Sequence, residues 1–300
     1  MAETAIDVGA PAARETVASR IVRYISTTPV HIVLALLGLF WLVPTIGLMF
    51  TSLLSPENLL SEGWWQIFST PSKATFDNYQ AIFKNPDFTK ALRNSAVVAL
   101  VTTILALGVG SFCAYALARL KLRGKGFILA VVLTISTFPQ IAIAAPLFKL
   151  WSDIGLFNTW AGLIIPYLTF ALPLSVYILV SFFKEIPRDL EEAALVDGAT
   201  HFQAFRKVVV PLAAPGLATA GILTFIGAWN EFLLAVTLTS SSKARTVPAA
   251  IAFFTGATEH EVPFGSISAA SVVISVPLIL LVLLFQKRIV AGLTAGAVKG

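Results

Sequence analysis

The chain has 300 residues, of which 57% are hydrophobic and only 12% are charged, and its mean hydropathy is +0.84. Soluble domains carry about 25% charged residues, and a water-soluble fold of this length could not cover so much apolar surface. The composition also excludes disordered, collagen-like and nucleic-acid-binding proteins, and we attribute the net charge of +5 to membrane topology. We therefore expect an all-α polytopic membrane protein.

Six long stretches contain no Asp, Glu, Lys or Arg. Each is long enough to cross the hydrocarbon core as a helix, which takes about 20 residues, and none shows the alternation of barrel strands. The uncharged segment 246–258 is too short to span, so we predict an interfacial or re-entrant helix there. The six predicted transmembrane helices cover about 31–52, 94–118, 126–148, 160–183, 212–235 and 266–286.

The distribution of Lys and Arg predicts the orientation. The tails and the loops 119–125 and 184–211 hold 14 of the 21 basic residues, and the other loops hold 7. Because basic residues accumulate in cytoplasmic loops, both termini are expected in the cytoplasm. The first span lacks a small-residue cleavage site and is expected to be a retained anchor. The predicted organisation is a cytoplasmic tail over 1–30, a six-helix membrane domain over 31–288 and a cytoplasmic tail over 289–300.

Motifs of catalysis and nucleotide binding are absent from the sequence. It contains no phosphate-binding G-x-x-x-x-G-K-[ST], no H-E-x-x-H and no G-x-S-x-G, and it has one cysteine and three histidines. We therefore expect no catalytic residue, no metal site and no cofactor in this chain. Cys113 lies in an apolar run and is expected to be a packing residue.

The segment 184–216 is the most informative part of the chain: KEIPRDLEEAALVDGATHFQAFRKVVVPLAAPG. Asp189, with Glu192 three residues later, predicts a capping box at the start of a short helix. Gly198 is expected to end that helix in the left-handed conformation. The helix carries an apolar stripe, which a solvated loop would not need, formed by Leu190, Ala193, Ala194 and Val196.

A second short helix is predicted directly after Gly198. Thr200 and Gln203 form another potential capping box, and Pro211 is expected to stop the helix. The two helices would make a stiff protrusion at the membrane surface. Its small alanine side chains would let another protein approach closely, so we expect it to dock a partner.

This segment resembles the EAA loop of permease subunits of bacterial ATP-binding-cassette importers. The resemblance rests on Glu192-Ala193-Ala194-x-x-Asp197-Gly198-Ala199, followed by Phe205 and Pro211-Leu212. Further segments are similar to the maltose/trehalose-type permeases of the carbohydrate class: Asp77-Asn78-Tyr79, Leu92-Arg93-Asn94-Ser95, Trp229-Asn230-Glu231 and the segment from Gln286 to Gly300. The resemblance covers nearly everything after about residue 30, and 155–216 looks most like actinobacterial trehalose-type permeases.

The resemblance implies a type I importer transmembrane domain in the bacterial plasma (inner) membrane. The implied partners are a second, homologous permease, two ATPase subunits that bind ATP and Mg, an extracellular or periplasmic sugar-binding protein and the lipid bilayer. The EAA loop, about 187–211, would couple ATP hydrolysis in the partners to import of a di- or oligosaccharide. The implied coupling residues are Glu192, Ala193, Ala194, Asp197, Gly198, Phe205 and Pro211. Alternatives are a permease for glycerol-phosphate or a polyol, or a non-transport docking subunit.

Polar residues inside the spans are candidates for the translocation pathway. Gln140 follows Pro139, and a kinked helix would offer free carbonyls beside its amide. Glu231, with Asn230, could bridge helices, contact a sugar or lie at the membrane interface. Tyr167 lies near the outer ends of the spans, with Trp151, Phe157 and Trp160, where aromatic residues form a membrane belt or stack on sugars. The segment 254–264 is expected to reach the binding protein or to form a solvated turn.

Overall fold

The computed structural model describes residues 17–55, 57–59, 63–254 and 263–295, with side chains described between 28 and 286 of these. In this part of the chain there are helices and connecting segments but no strand, which confirms the all-α prediction. In chain order the main helices are α1 (Val17–Ser52), α2 (Gln66–Ser69), α3 (Asp77–Lys84), α4 (Pro86–Arg119), α5 (Lys125–Ser136), α6 (Gln140–Asp153), α7 (Trp160–Glu185), α8 (Arg188–Val196), α9 (His201–Ala204), α10 (Val210–Leu212), α11 (Ala214–Asn230), α12 (Leu233–Leu238), α13 (Val247–Ile251) and α14 (Phe264–Ala295).

Among the described residues, four helices are long and apolar enough to cross a membrane: 28–52 within α1, α4, α7 and 264–286 within α14. They include the predicted spans 31–52, 94–118, 160–183 and 266–286. Local caps define two of their starts, since Asn85 accepts a hydrogen bond from the Asp87 amide and Thr159 accepts one from the Gly162 amide. The helices α1 and α14 also extend into the predicted tails 1–30 and 289–300, which are therefore partly helical.

The single helix predicted over 126–148 is replaced by two. The axes of α5 and α6 differ by 80°, and the break lies at residues 137–139. Pro139 has no backbone donor and disfavours a helical conformation in the residue before it, which explains why the helix ends there. The pair α5 and α6 can supply a fifth crossing if the bent pair is counted as one span.

The helix predicted over 212–235 is interrupted twice. Helices α9 and α10, joined by a π-helical turn (Phe205–Val209), meet α11 at a 75° bend beside Ala213. Pro211 lies within α10 and does not end the helix there as predicted. A second break follows α11, because Glu231 adopts an extended conformation before α12 begins. The bent pair formed by the α9–α10 segment and α11 can supply a sixth crossing in the described residues.

The core of the bundle is built around α4 and α7, which pack against each other and against α11. Close approach of α4 to α7 depends on Gly110, where a Cβ would lie 3.1 Å from Cβ of Ser175. In contrast, only 6% of the spanning window of α1 is buried inside the protein, so its side chains are left to lipid or to a partner. The short helix predicted within 246–258 is α13, with Pro248 in its first turn. Most of the segment 254–264 lies outside the described residues.

Candidate coupling elbow and pathway residues

We use the name elbow for residues 187–211, which leave the bundle after α7 and return to it before α11. The elbow begins with α8, whose N-cap is Pro187 and has no side-chain hydrogen bond. The capping box predicted at Asp189 and Glu192 is therefore not formed. Asp189 instead lies in the first turn of α8, where a negative charge interacts favourably with the helix dipole.

Gly198 reverses the chain as the sequence predicts. Its φ of +88° lies in the left-handed region, and its amide donates to the Leu195 carbonyl at 3.0 Å. The neighbouring amide of Ala199 donates to the Ala194 carbonyl, also at 3.0 Å. A Cβ at position 198 would meet no atom within 4 Å, so glycine is needed for its backbone conformation and not for internal space.

The second half of the elbow is attached to the bundle by aromatic packing. Thr200 and Gln203 form the predicted capping box, with Thr200 Oγ1 accepting from the Gln203 amide at 3.2 Å and Gln203 Oε1 accepting from the Thr200 amide at 2.8 Å. Phe205 follows in the π-helical turn and is buried. Its ring centroid lies 4.9 Å from that of Tyr115, 5.2 Å from that of Phe112 and 6.3 Å from that of Phe183.

The first half of the elbow is attached by a buried polar cluster, which the sequence analysis missed. Glu191 is 9% exposed and accepts a hydrogen bond from the Tyr115 hydroxyl. Its other carboxylate oxygen lies 3.6 Å from Nε of Arg119, and Nη2 of Arg119 donates to the Ile186 carbonyl at 2.7 Å. Glu191 therefore faces the bundle, while the neighbouring Glu192 is exposed. The preference for Glu192 came from the EAA motif, which carries no information on which face is buried.

Several other elbow residues form an outward-facing surface. Val196 is 87% exposed and Phe202 is 57% exposed, so apolar side chains form part of this surface. Of the predicted coupling residues, Phe205 is buried and Ala194 is partly buried, and the exposed ones are Glu192, Ala193, Asp197, Gly198 and Pro211. The elbow thus presents a small apolar and acidic surface on a rigidly attached base.

The four predicted pathway residues do not lie in one cavity. Gln140 is the first residue of α6 and lines a mainly apolar cavity of about 440 Å³ at the bend between α5 and α6, together with Thr134, Phe138, Thr169 and Phe170. Tyr167 is fully buried in a hydrophobic cluster. Asn230 is exposed at the end of α11.

Glu231 stabilises the second break in the predicted fifth span. One of its carboxylate oxygens accepts a hydrogen bond from the Leu234 amide at 2.7 Å, and the other accepts one from the Ala235 amide at 3.1 Å. These amides belong to the first turn of α12 and would otherwise lack acceptors. These two hydrogen bonds give Glu231 a helix-capping role, which differs from the three roles considered for it from the sequence.

The aromatic candidates Trp151 and Trp160 also make hydrogen bonds inside the protein. The Trp151 indole donates to the Gly162 carbonyl at 2.7 Å, and the Trp160 indole donates to Oδ1 of Asn94 at 3.0 Å. Asn94 in turn donates from Nδ2 to the carbonyls of Ser242 and Arg245, each at 3.0 Å. The Leu92-Arg93-Asn94-Ser95 motif therefore fixes the loop before α13 to the end of α4.

Asn78 has a similar role at the end of α1. Its Nδ2 donates to the Ser52 carbonyl at 3.0 Å and to the Leu54 carbonyl at 2.8 Å. The neighbouring Tyr79 hydroxyl lies 2.7 Å from Oγ of Ser52. The Asp77-Asn78-Tyr79 motif therefore joins α3 to α1.

The sequence from 106 to 294 matches the family described as the binding-protein-dependent transport system inner membrane component. The chain belongs to this family. It is a multi-pass inner-membrane permease subunit and not itself an enzyme. The family match also excludes a docking subunit without a transport role, which the sequence had left open.

Two similar proteins show which transport systems the chain resembles. The chain is 52% identical over 266 residues to a trehalose transport system permease protein of Mycobacterium tuberculosis (strain CDC 1551 / Oshkosh), covering 89% of this chain and 93% of that protein. It is 43% identical over 230 residues to a trehalose/maltose transport system permease protein of Thermococcus litoralis, covering 76% and 82%. The resemblance to maltose/trehalose-type permeases is thereby confirmed.

The fold is shared with a solved importer. A chain in the crystal structure of a bacterial ATP-binding-cassette transporter that imports the acidic polysaccharide alginate superposes with a TM-score of 0.70 at 24% identity. The match covers 92% of this chain and 99% of that chain. The expected type I importer transmembrane fold is confirmed.

Proposed function

We propose that this chain is one of two permease subunits of an ATP-binding-cassette importer for a trehalose- or maltose-like disaccharide. The chain has no phosphate-binding loop, so ATP and Mg are bound by two partner ATPase subunits. A second permease completes the translocation pathway, and an external binding protein delivers the sugar. The two relatives named for trehalose or for trehalose and maltose support this substrate class.

The coupling role is supported by the outward-facing surface of the elbow, which is attached to the helix bundle. Glu192, Ala193 and Val196 are exposed on α8, while Glu191 on the same helix is held by the bundle. A partner that binds the exposed side and moves would therefore displace the bundle as well. Closure of the ATPase subunits would act on the elbow in this way and reorient the membrane helices from outward-facing to inward-facing.

Both termini and the elbow lie on the cytoplasmic side in this proposal. The excess of Lys and Arg in the tails and in the loops 119–125 and 184–211 supports this orientation. Within the membrane, Gln140 is the residue we assign to the pathway, because it lines a cavity at a helix break. Tyr167 is assigned to packing against α11 and α12, Asn230 to the end of α11 and Glu231 to the start of α12.

Reconstitution tests this function. The chain would be assembled in proteoliposomes with the permease, ATPase and binding protein encoded beside it, and ATP-driven uptake would be measured for trehalose, maltose, glycerol 3-phosphate and a polyol. We expect uptake of a disaccharide that requires both ATP and the binding protein. Uptake of glycerol 3-phosphate or the polyol alone would overturn the substrate class, and no ATP-driven uptake of any of the four would overturn the proposed function.

A further inference from the structure

The buried contacts of Glu191 give it a different task from the exposed face of the same helix. Its carboxylate is bound by the Tyr115 hydroxyl and lies 3.6 Å from the Arg119 guanidinium, and both partners belong to α4. Arg119 also donates to the Ile186 carbonyl, directly before the elbow. The Tyr115–Glu191 and Arg119–Ile186 hydrogen bonds each involve one charged group, and such bonds are stronger than those between neutral groups. The cluster therefore fixes both the position and the rotation of α8 on α4.

The helix α4 is suited to carry a displacement across the membrane. It runs for 34 residues without a break, or roughly 50 Å, and packs on α7 and α11. Near its other end Asn94 donates from Nδ2 to the carbonyls of Ser242 and Arg245 in the loop before α13. Ser95 Oγ accepts from the amide of Val247, the first residue of α13, at 2.8 Å. One helix thus binds the elbow at one end and an outer loop at the other.

Resting on the proposed function, we propose that Glu191 is the positioning residue for energy coupling. It does not contact the ATPase, and it acts through Tyr115 and Arg119. When ATP closes the ATPase subunits, the exposed side of α8 is displaced, and the Glu191 contacts transfer that displacement to α4. Without them α8 would rotate on its aromatic attachment at Phe205, and the ATPase would cycle with less movement of the membrane helices.

The decisive quantity is the amount of substrate transported per ATP hydrolysed by the intact reconstituted transporter. In Glu191→Ala we expect the ATPase subunits to be retained, because Glu192 and Val196 are untouched, and hydrolysis to continue. The ratio should fall by up to about tenfold, the limit reached if loss of the contact lowers the equilibrium constant for attachment of α8 by about tenfold. Tyr115→Phe removes one hydroxyl and should lower the ratio less. The double variant should be no worse than Glu191→Ala, since the two residues share one contact.

Two control variants distinguish a positioning role of Glu191 from a role in the stability of the transporter alone. Glu185→Gln removes an exposed carboxylate just before the elbow, and Tyr177→Phe removes the hydroxyl of an exposed tyrosine on α7. Both should keep the wild-type ratio. A purely structural role for Glu191 would lower the yield of transporter but leave the ratio unchanged in the complexes that assemble.

Three results would overturn the inference. One is an unchanged ratio in both Glu191→Ala and the conservative Glu191→Gln. Another is loss of the ATPase subunits from both variants, which would mean that Glu191 is needed for docking. The third is a double variant whose ratio is lower than that of Glu191→Ala by the same factor as in Tyr115→Phe alone. That result would mean that the two residues act independently. Failure of the proposed function is distinguishable, because the wild-type transporter would then show no ATP-driven uptake.

Discussion

Substitution of Gly198 separates the backbone geometry of the elbow from its side-chain contacts. At a φ of +88° an alanine costs roughly 1 kcal/mol in backbone strain, while the open space around the position adds no clash within the chain. A change of that size lowers the equilibrium constant for forming the native turn about fivefold. Gly198→Ala should therefore lower ATP-driven uptake by about fivefold at most, because uptake depends on the fraction of chains that keep the native turn. Gly198→Asn should lower it less, because asparagine tolerates the left-handed region better.

Of the three substitutions at position 198, proline should have the largest effect on uptake. It fixes φ near −65° and removes the amide that donates to the Leu195 carbonyl. Gly198→Pro should abolish uptake and ATPase co-purification while the protein still inserts in the membrane. The matched control for Gly198→Ala is Gly155→Ala, since Gly155 has a φ of +76° and equally open surroundings but lies outside the elbow. This control should keep wild-type uptake. Wild-type uptake and ATPase retention in Gly198→Pro would refute the reasoning.

Four further outcomes are expected. Glu192→Lys should leave the chain in the membrane but weaken ATPase co-purification, and normal co-purification would remove Glu192 from the docking surface. Glu231→Ala should destabilise the purified transporter in thermal unfolding by about 1–3 kcal/mol for each amide left without its acceptor, and Glu231→Gln should cost less. A phosphatase fused after Gly300 should be inactive in cells and a fluorescent protein there should be bright, whereas an active phosphatase would invert the topology. The purified chain alone should neither bind nor hydrolyse ATP, and hydrolysis that persists after removal of contaminating ATPases would contradict the assignment.

The transmembrane helices could be predicted closely where the apolar runs are continuous. The predicted span 160–183 lies within α7, whose ends depend on the Thr159 cap and on local sequence. The breaks were harder to anticipate. Pro139 indicated a kink but not a bend of 80°. The break before α12 has no proline at all, and it depends on a glutamate side chain that accepts from amides three and four residues further on.

The elbow shows where local patterns suffice and where they do not. The Gly198 turn and the capping box at Thr200 depend on neighbouring residues, so the sequence predicted both. The choice between Glu191 and Glu192 depends on contacts with Tyr115 and Arg119, which lie 76 and 72 positions earlier in the chain. A single sequence contains no record of that pairing. Only the fold reveals which of two adjacent glutamates faces the bundle.

Crosslinking from Val196 tests the central claim most directly. A photoreactive residue would replace Val196, which is 87% exposed on the elbow, and in a separate variant Trp41, which is 75% exposed in the first span. Irradiation of membranes that contain the assembled transporter should join position 196 to an ATPase subunit and should not join position 41 to one. Absence of an ATPase crosslink at position 196, in transporters that carry out ATP-driven uptake, would contradict the coupling role of the elbow.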